Sequence, residues 1–496
     1  MKKKNIMFQG TGSSVGKSIL TAGVCRVLKD MGYHVAPFKS QNMALNSFIT
    51  KDGKEMGRAQ VVQAEAARIE PMVEMNPILL KPSSDVGSQV IVMGEVYQNM
   101  TATEYHKNKP KFKNIIKEAY DKLAEEYDAI VIEGAGSTAE INLRENDLVN
   151  MGMAEMVDSP VVLIGDIDRG GVFASIYGTY MLLEKEEQAR MKGFVINKFR
   201  GDVKLLEPGI KMLEDKINIP CLGVIPYFTL HIDDEDSVSL RLSYQAKKDI
   251  VVGVLRLPHI SNFTDFTPFE MDEDVEVKYI KSALDFKDID LLIIPGSKNT
   301  IEDMVYLNNT GMTKKILEHH KKSKPIIGIC GGYQILGSGI IDEGNNESSV
   351  LKTNGLGLLN TSTIISNKKR TVQVEGTIDI SFMGEKLKAD VKGYEIHMGV
   401  TKFNESHQHF VHLQEGHMDG AINQEENVLG TYLHGIFDND KFRKFLLDNI
   451  RRQKGIETKD QTLSFEEFKE TQYVELGKII KEHLDVEKIL EIMSEF

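Results

Sequence analysis

Cys330 lies in Gly328-Ile-Cys-Gly-Gly332, a G-x-C-x-G pattern that ends the apolar run Pro325-Ile-Ile-Gly-Ile329. This spacing sets a nucleophile on a tight strand-to-helix turn. The glycines remove Cβ clashes at a strained position, and the following helix N-terminus lowers a thiol pKa from ~8.5 toward thiolate. A thiol of this kind needs a histidine base from elsewhere in the chain. Two are placed for the role, His434 in Leu429–Phe437 and His397 in Gly393–Gly399. His434 follows an apolar strand and precedes glycine, which favours it; His397 alternates with Glu395 on one strand face. A second glycine-bearing strand end, Pro295-Gly296-Ser297-Lys298, supplies backbone N–H groups that with Gly331 would form an oxyanion hole.

A second chemistry is written at the N-terminus. Gly10-Thr11-Gly12-Ser13-Ser14-Val15-Gly16-Lys17-Ser18 follows the apolar run Asn5–Phe8. Strand, glycine-rich turn and a helix opening on Lys-Ser make a phosphate cradle: backbone N–H groups from Gly10 to Gly16 converge on phosphate oxygens, Lys17 reaches the terminal phosphates, and Ser18 ligates Mg²⁺. The apolar strand Asp128–Ile132 ends in Glu133, the position of a second Mg²⁺ partner. Lys39, Gln41 and Asn42 follow the strand His34–Phe38, and Asp166 ends the strand Ser159–Gly165. Both are carboxyl ends, where open α/β sheets bind ligands. Asp147 lies in the unusually polar stretch 142–150, a surface loop or part of an acceptor site.

These residues need two scaffolds. At 496 residues the chain is too long for one core. Apolar strands alternate with helical patterns through residues 5–226, predicting a mostly parallel, helix-covered sheet. Strand patterns resume at Ile250–Leu255, Leu291–Ile294 and Pro325–Ile329 after a polar stretch at 231–249, placing a boundary near 245. The expected domains are therefore 1–245 and 246–440. A lysine- and glutamate-rich tail, 441–496, is expected to pack helices on the second domain. A net charge of −13 argues against a nucleic-acid or anionic-membrane partner. No apolar run is long enough to span a membrane, and three dispersed cysteines suit a reducing cytoplasm.

The thiol elbow, the Pro-Gly-Ser loop and the late Tyr-Leu-His-Gly resemble a class I glutamine amidotransferase domain. The first half resembles the dethiobiotin-synthetase branch of P-loop proteins, whose loop also reads Gly-Thr-x-x-x-Val-Gly-Lys. Fused in this order, they are similar to the cobyric acid synthase family of cobalamin-pathway amidases. That resemblance is carried by Phe38–Asn46, Met75–Pro82, Gly87–Val90, Asp166–Phe173, Ser261–Phe266 and Gly393–Gly399. It implies ATP, Mg²⁺ and glutamine as reactants, a small-molecule corrinoid acceptor, Cys330 as nucleophile and His434 as base. Many class I enzymes carry Glu two positions after the histidine; this chain has Ile436, so either Glu395 or no residue orients His434. Two alternatives are cobyrinic acid a,c-diamide synthase, which shares both domains, and a MinD/ParA-like regulatory ATPase, which has no use for a cysteine elbow.

Overall fold

The near-continuous apolar runs of the first half are strands buried on both faces, as a parallel sheet covered by helices requires. In the computed structural model they lie in the order Cys221–Pro226, Met191–Phe199, Val161–Asp166, Lys4–Gly10, Ala129–Glu133, Val35–Phe38, every neighbouring pair parallel. The structure describes residues 4–84, 87–233, 248–348, 350–404, 408–459 and 464–496. Parallel pairing brings the carboxyl ends Gly10, Phe38, Glu133 and Asp166 to one edge, so the loops bearing Lys17, Lys39, Glu133 and Asp166 emerge together. Not every strand of the first half joins this sheet. Gly87–Val92 belongs to a four-stranded sheet with Gln41–Met43, Ile78–Ser84 and Glu95–Thr101. A charged helix starts at Ala102, capped by a reciprocal Thr101–Glu104 box, and runs through Pro110 to Glu126.

The chain divides into two compact units: Met1–Ala44, Glu55–Glu235 and Lys469–Phe496, and Leu45–Lys54 with Asp236–Phe468. The boundary expected near 245 lies outside the described residues. The tail corrects the expectation that it packs on the second domain. Helix Asp440–Lys454 belongs to the second unit, but Lys469–Phe496 completes the core of the first. There Leu476 and Ile480 are fully buried, the Tyr473 hydroxyl donates to Glu65 at 2.6 Å, and Arg26 makes a two-pronged pair with Glu470. Amphipathic spacing shows that a helix has a buried face without specifying which core it meets. Leu476→Ala is expected to destabilise the first unit by about 2–5 kcal/mol, read from denaturant unfolding. Unchanged unfolding of that unit would contradict this placement.

The second unit has its own parallel sheet, Val275–Ile280, Ile250–Leu255, Leu291–Ile294, Ile326–Ile329 and Val428–Thr431, closed by antiparallel Ala421–Ile422. Beside it, a long hairpin of Thr361–Phe382 and Glu385–Phe403 dominates a second sheet. The short strand Leu433–His434 pairs on that hairpin, with Tyr394 opposite His434. The late Leu-Gly-Thr-Tyr-Leu-His run thus crosses from one sheet to the other and delivers His434.

Candidate functional site

In the second unit the strand Ile326–Ile329 turns directly into the helix Gly331–Leu336, and Cys330 forms the corner with φ 51° and ψ −106°. A non-glycine residue there costs about 1–3 kcal/mol of backbone strain. Its neighbours must be glycine: a Cβ on Gly328 would lie 2.6 Å from the Gly332 carbonyl oxygen, and one on Gly331 2.8 Å from the Ser297 nitrogen. The two expected oxyanion supports, Gly296 and Gly331, are therefore brought to one place. A Cβ on Gly296 would stand 3.2 Å from His434 Cε1, so the loop also backs the histidine. The Cys330 Sγ donates weakly to the Ile396 carbonyl at 3.6 Å.

His434 is 1% exposed, and its Nδ1–H donates to Asp265 Oδ2 at 2.7 Å. The other oxygen of Asp265 accepts from the Gly435 N–H at 3.1 Å, so one carboxylate fixes both ring and backbone. Tyr394 stacks on the ring with centroids 5.3 Å apart and planes 17° from parallel. Burial opposes a charge on the ring. The Asp265 charge and hydrogen bond outweigh it, and with the interaction with Cys330 they push the His434 pKa up to about 10.

Asp265 does not stand out by its chemistry in the sequence, and it replaces Glu395 as the orienting carboxylate. Glu395 pairs with Arg370 and lies 3.8 Å from His397. The reason is strand alternation: Tyr394 faces His434, so the next side chain points to the opposite face. His397 is held by its own Nδ1–H donating to the Gly399 carbonyl at 2.8 Å and stacks on Tyr432 at 3.7 Å. The usable signal for Asp265 is its setting: an acid among Phe263, Phe266 and Phe269 is buried with them and so needs a partner.

In the first unit, strand Lys4–Gly10 and helix Lys17–Asp30 frame the loop. Gly16 has φ 98°, a conformation for which only glycine is unstrained, and a Cβ on Gly10 would come 2.7 Å from Val15 Cγ2. Lys17 Nζ donates to the carbonyls of Gly12 and Gly136, both at 2.9 Å. Ser18 Oγ donates to Glu133 Oε1 at 2.7 Å, and Lys39 Nζ reaches the same oxygen at 3.0 Å. Glu133, 1% exposed, also accepts from Gln63 Nε2 at 2.5 Å. Gln60, one turn earlier on the same helix face, accepts from Asn42 Nδ2 at 2.9 Å. Gln60 and Gln63 carry no signal in the sequence, where they look like ordinary polar positions on the helix Arg58–Ala66. Gln41 accepts from the Tyr105 hydroxyl at 2.6 Å.

Asp166 is drawn into the loop's support. Lys198 Nζ bridges its Oδ2 at 2.8 Å and the Ser14 carbonyl at 2.7 Å, while Asn197 Nδ2 donates to the Val15 carbonyl at 2.8 Å. Asp147 departs from the expectation of an acceptor contact. Its oxygens accept the backbone N–H groups of Val149, Asn150 and Gly152 at 2.9–3.2 Å, fixing the entry to the helix Met151–Met156. Polar composition alone does not distinguish a capping carboxylate from one open to substrate.

Residues 6–237 match the CobQ/CobB/MinD/ParA nucleotide binding domain, and residues 251–442 match the CobB/CobQ-like glutamine amidotransferase domain. The chain is 51% identical over 495 residues to a cobyric acid synthase of Clostridium botulinum (strain ATCC 19397 / Type A), covering 99% of each chain. It is 53% identical over 500 residues to that of Alkaliphilus metalliredigens (strain QYMF), covering 98% of this chain and 99% of the relative. The cysteine elbow and the phosphate cradle each fall within their matched domain, and identity extends through both: the chain belongs to the cobyric acid synthase family of ATP-dependent glutamine amidotransferases.

Proposed function

We propose that this chain uses ATP and glutamine to amidate the b, d, e and g carboxylates of adenosylcobyrinic acid a,c-diamide in the cytoplasm, giving adenosylcobyric acid. The observation that carries this reading is one chain bearing both a Cys330–His434–Asp265 relay and a Lys17–Ser18–Glu133 cluster. Releasing ammonia and activating a carboxylate are the two halves of an amidation.

A carboxylate is a poor electrophile because its oxygen leaves badly. Transfer of the γ-phosphoryl of ATP to it makes an acyl phosphate, which ammonia converts to an amide with loss of phosphate. Lys17 exchanges its loop carbonyl partners for phosphate oxygens and offsets the charge that shifts in the transfer. Among the described residues no three His, Cys, Asp or Glu side chains cluster to hold a metal by themselves. One buried carboxylate beside one hydroxyl is instead the donor set Mg²⁺ takes when phosphate oxygens and water complete its shell, so Glu133 and Ser18 fit that ion. When bound, Mg²⁺ neutralises phosphate charge. Lys39 balances Glu133 and stands ready for a phosphate or acceptor carboxylate.

At the other site Cys330 attacks the glutamine side-chain amide. With its pKa raised to about 10, His434 is protonated at neutral pH and gives that proton to the departing nitrogen, which leaves as ammonia. The now neutral ring takes a proton from the water that attacks the thioester. Glutamate leaves and the ring is recharged, with Asp265 holding Nδ1–H throughout.

The cobyrinic acid a,c-diamide synthase alternative is disfavoured by near-full-length relatives named cobyric acid synthase. A purely regulatory ATPase of the MinD/ParA type gives the Cys330 relay no task. No helix among the described residues is long and apolar enough to cross a membrane. Lys17→Ala is expected to lower amidation by about 10²-fold or more with either glutamine or ammonium as donor. Full synthesis by this variant would remove the cradle from the mechanism.

A further inference from the structure

The stretch Leu45–Lys54 belongs to the second unit although the chain on either side of it belongs to the first. Inside that unit it is held by specific polar contacts. The Asn46 Oδ1 accepts the Phe263 N–H at 3.1 Å. Asn262 accepts the Ser47 N–H at 3.3 Å and donates to the Ser47 carbonyl at 3.2 Å. The same Asn262 amide donates to the Tyr394 hydroxyl at 3.0 Å, and that hydroxyl donates to the Ser47 carbonyl at 3.2 Å. Phe48 packs edge-on against the Tyr394 ring at 5.3 Å, and Gln373 Nε2 donates to the Ile49 carbonyl at 2.7 Å. Asn46 and Ser47 are each 1% exposed.

What these residues touch is the scaffold of the base. Asn262, at φ 51°, opens the 3₁₀ segment that carries Asp265, and the Asp265 N–H donates to the Asn262 carbonyl at 3.1 Å. Tyr394, whose hydroxyl Asn262 also touches, stacks on His434. Asn46 and Ser47 thus grip both the element that aims the orienting carboxylate and the ring that backs the histidine. Along the chain, only Met43, Ala44 and Leu45 separate Asn46 from Asn42, whose amide joins the network around Glu133 through Gln60.

We propose that Asn46 and Ser47 are positioning residues of the glutaminase, and that through their continuity with Lys39–Asn42 they couple its activity to occupancy of the acceptor site. The proposal rests on the glutaminase reading of Cys330 and His434. A shift of the Lys39–Asn42 strand end pulls on Asn46 and Ser47, and a buried, hydrogen-bonded segment transmits that displacement to Asn262 and Tyr394.

The test uses the full chain and measures glutamine hydrolysis with and without cobyrinic acid a,c-diamide plus ATP, alongside ammonium-supported amidation. In the unaltered chain, acceptor and ATP together are expected to raise glutamine hydrolysis about fivefold or more. Asn46→Ala is expected to lose that rise and to lower glutamine-supported kcat about tenfold, with the glutamine KM and ammonium-supported amidation within about twofold. Asn46→Asp, which keeps an oxygen for the Phe263 N–H, is expected to restore the rise. The proposal is overturned if Asn46→Ala retains the rise, if it loses both nitrogen donors equally, if Asn46→Asp fails to rescue, or if the unaltered chain shows no rise. Cys330→Ala, run in parallel, separates the two levels: persistent glutamine hydrolysis in that variant refutes the glutaminase reading itself.

Discussion

Cys330→Ala is expected to abolish glutamine-supported amidation while amidation from high ammonium continues. Removing a nucleophile that forms a covalent intermediate typically costs about 10⁴-fold or more in rate, because no neighbouring group can replace the bond it makes. The first unit has no need of the thiol, since Lys17, Ser18 and Glu133 build their cluster without it. The substitution is also mild for the fold. Alanine keeps a Cβ at the φ 51° corner, and the change removes the weak 3.6 Å bond from sulfur to the Ile396 carbonyl together with the interaction with His434. The measurement is paired rates with glutamine and with ammonium on the same preparation. Equal loss of both would place Cys330 in the fold rather than in nitrogen release.

Asp265→Asn is expected to lower glutamine hydrolysis by about 10²–10⁴-fold, with little change when ammonium is supplied. Two effects combine. Asparagine can present its amide to Nδ1 and favour the wrong tautomer, and it removes the charge that keeps the buried ring protonated. Burial, the largest influence on His434, acts to lower its pKa; without Asp265 the pKa falls from about 10 toward or below the ordinary histidine value. In the proposed mechanism the protonated ring is the form that starts the reaction, and its population declines as pH rises through the folded pKa. The alkaline limb of the glutaminase profile should therefore move to lower pH in Asp265→Asn. A variant with reduced rate and an unmoved alkaline limb would mean that Asp265 supports the fold at Gly435 without setting the charge of His434.

The chemistry at strand ends is legible in the sequence because parallel sheets leave little freedom there. Gly10–Ser18, Glu133 and Cys330 each terminate an apolar run, and the run fixes both the strand and the edge from which the next residue emerges. What joins distant segments is not legible. Asp265 meets His434 across 169 positions, and the stretch Ser261–Phe266 carries the family resemblance without marking its acid as a histidine's partner. Glu395 is attractive because it precedes a histidine on a strand, but the register that sets Tyr394 against His434 turns it away. Gln60 and Gln63 become part of the site only when the helix Arg58–Ala66 lays one face beside Glu133. The tail and the segment Leu45–Lys54 escape sequence reading for a related reason: apolar spacing predicts burial, whereas the choice of core is made by complementary surfaces far along the chain.

In the proposed function one chain moves nitrogen from glutamine to peripheral carboxylates of a corrinoid at the expense of ATP. The decisive measurement is mass spectrometry of cobyrinic acid a,c-diamide incubated with the enzyme, ATP, Mg²⁺ and glutamine bearing a heavy-nitrogen amide. The expected result is stepwise conversion of the b, d, e and g carboxylates to amides that all carry the heavy nitrogen, and none when ATP is omitted. An untouched corrinoid, or amides formed without the glutamine label or without ATP, would contradict it.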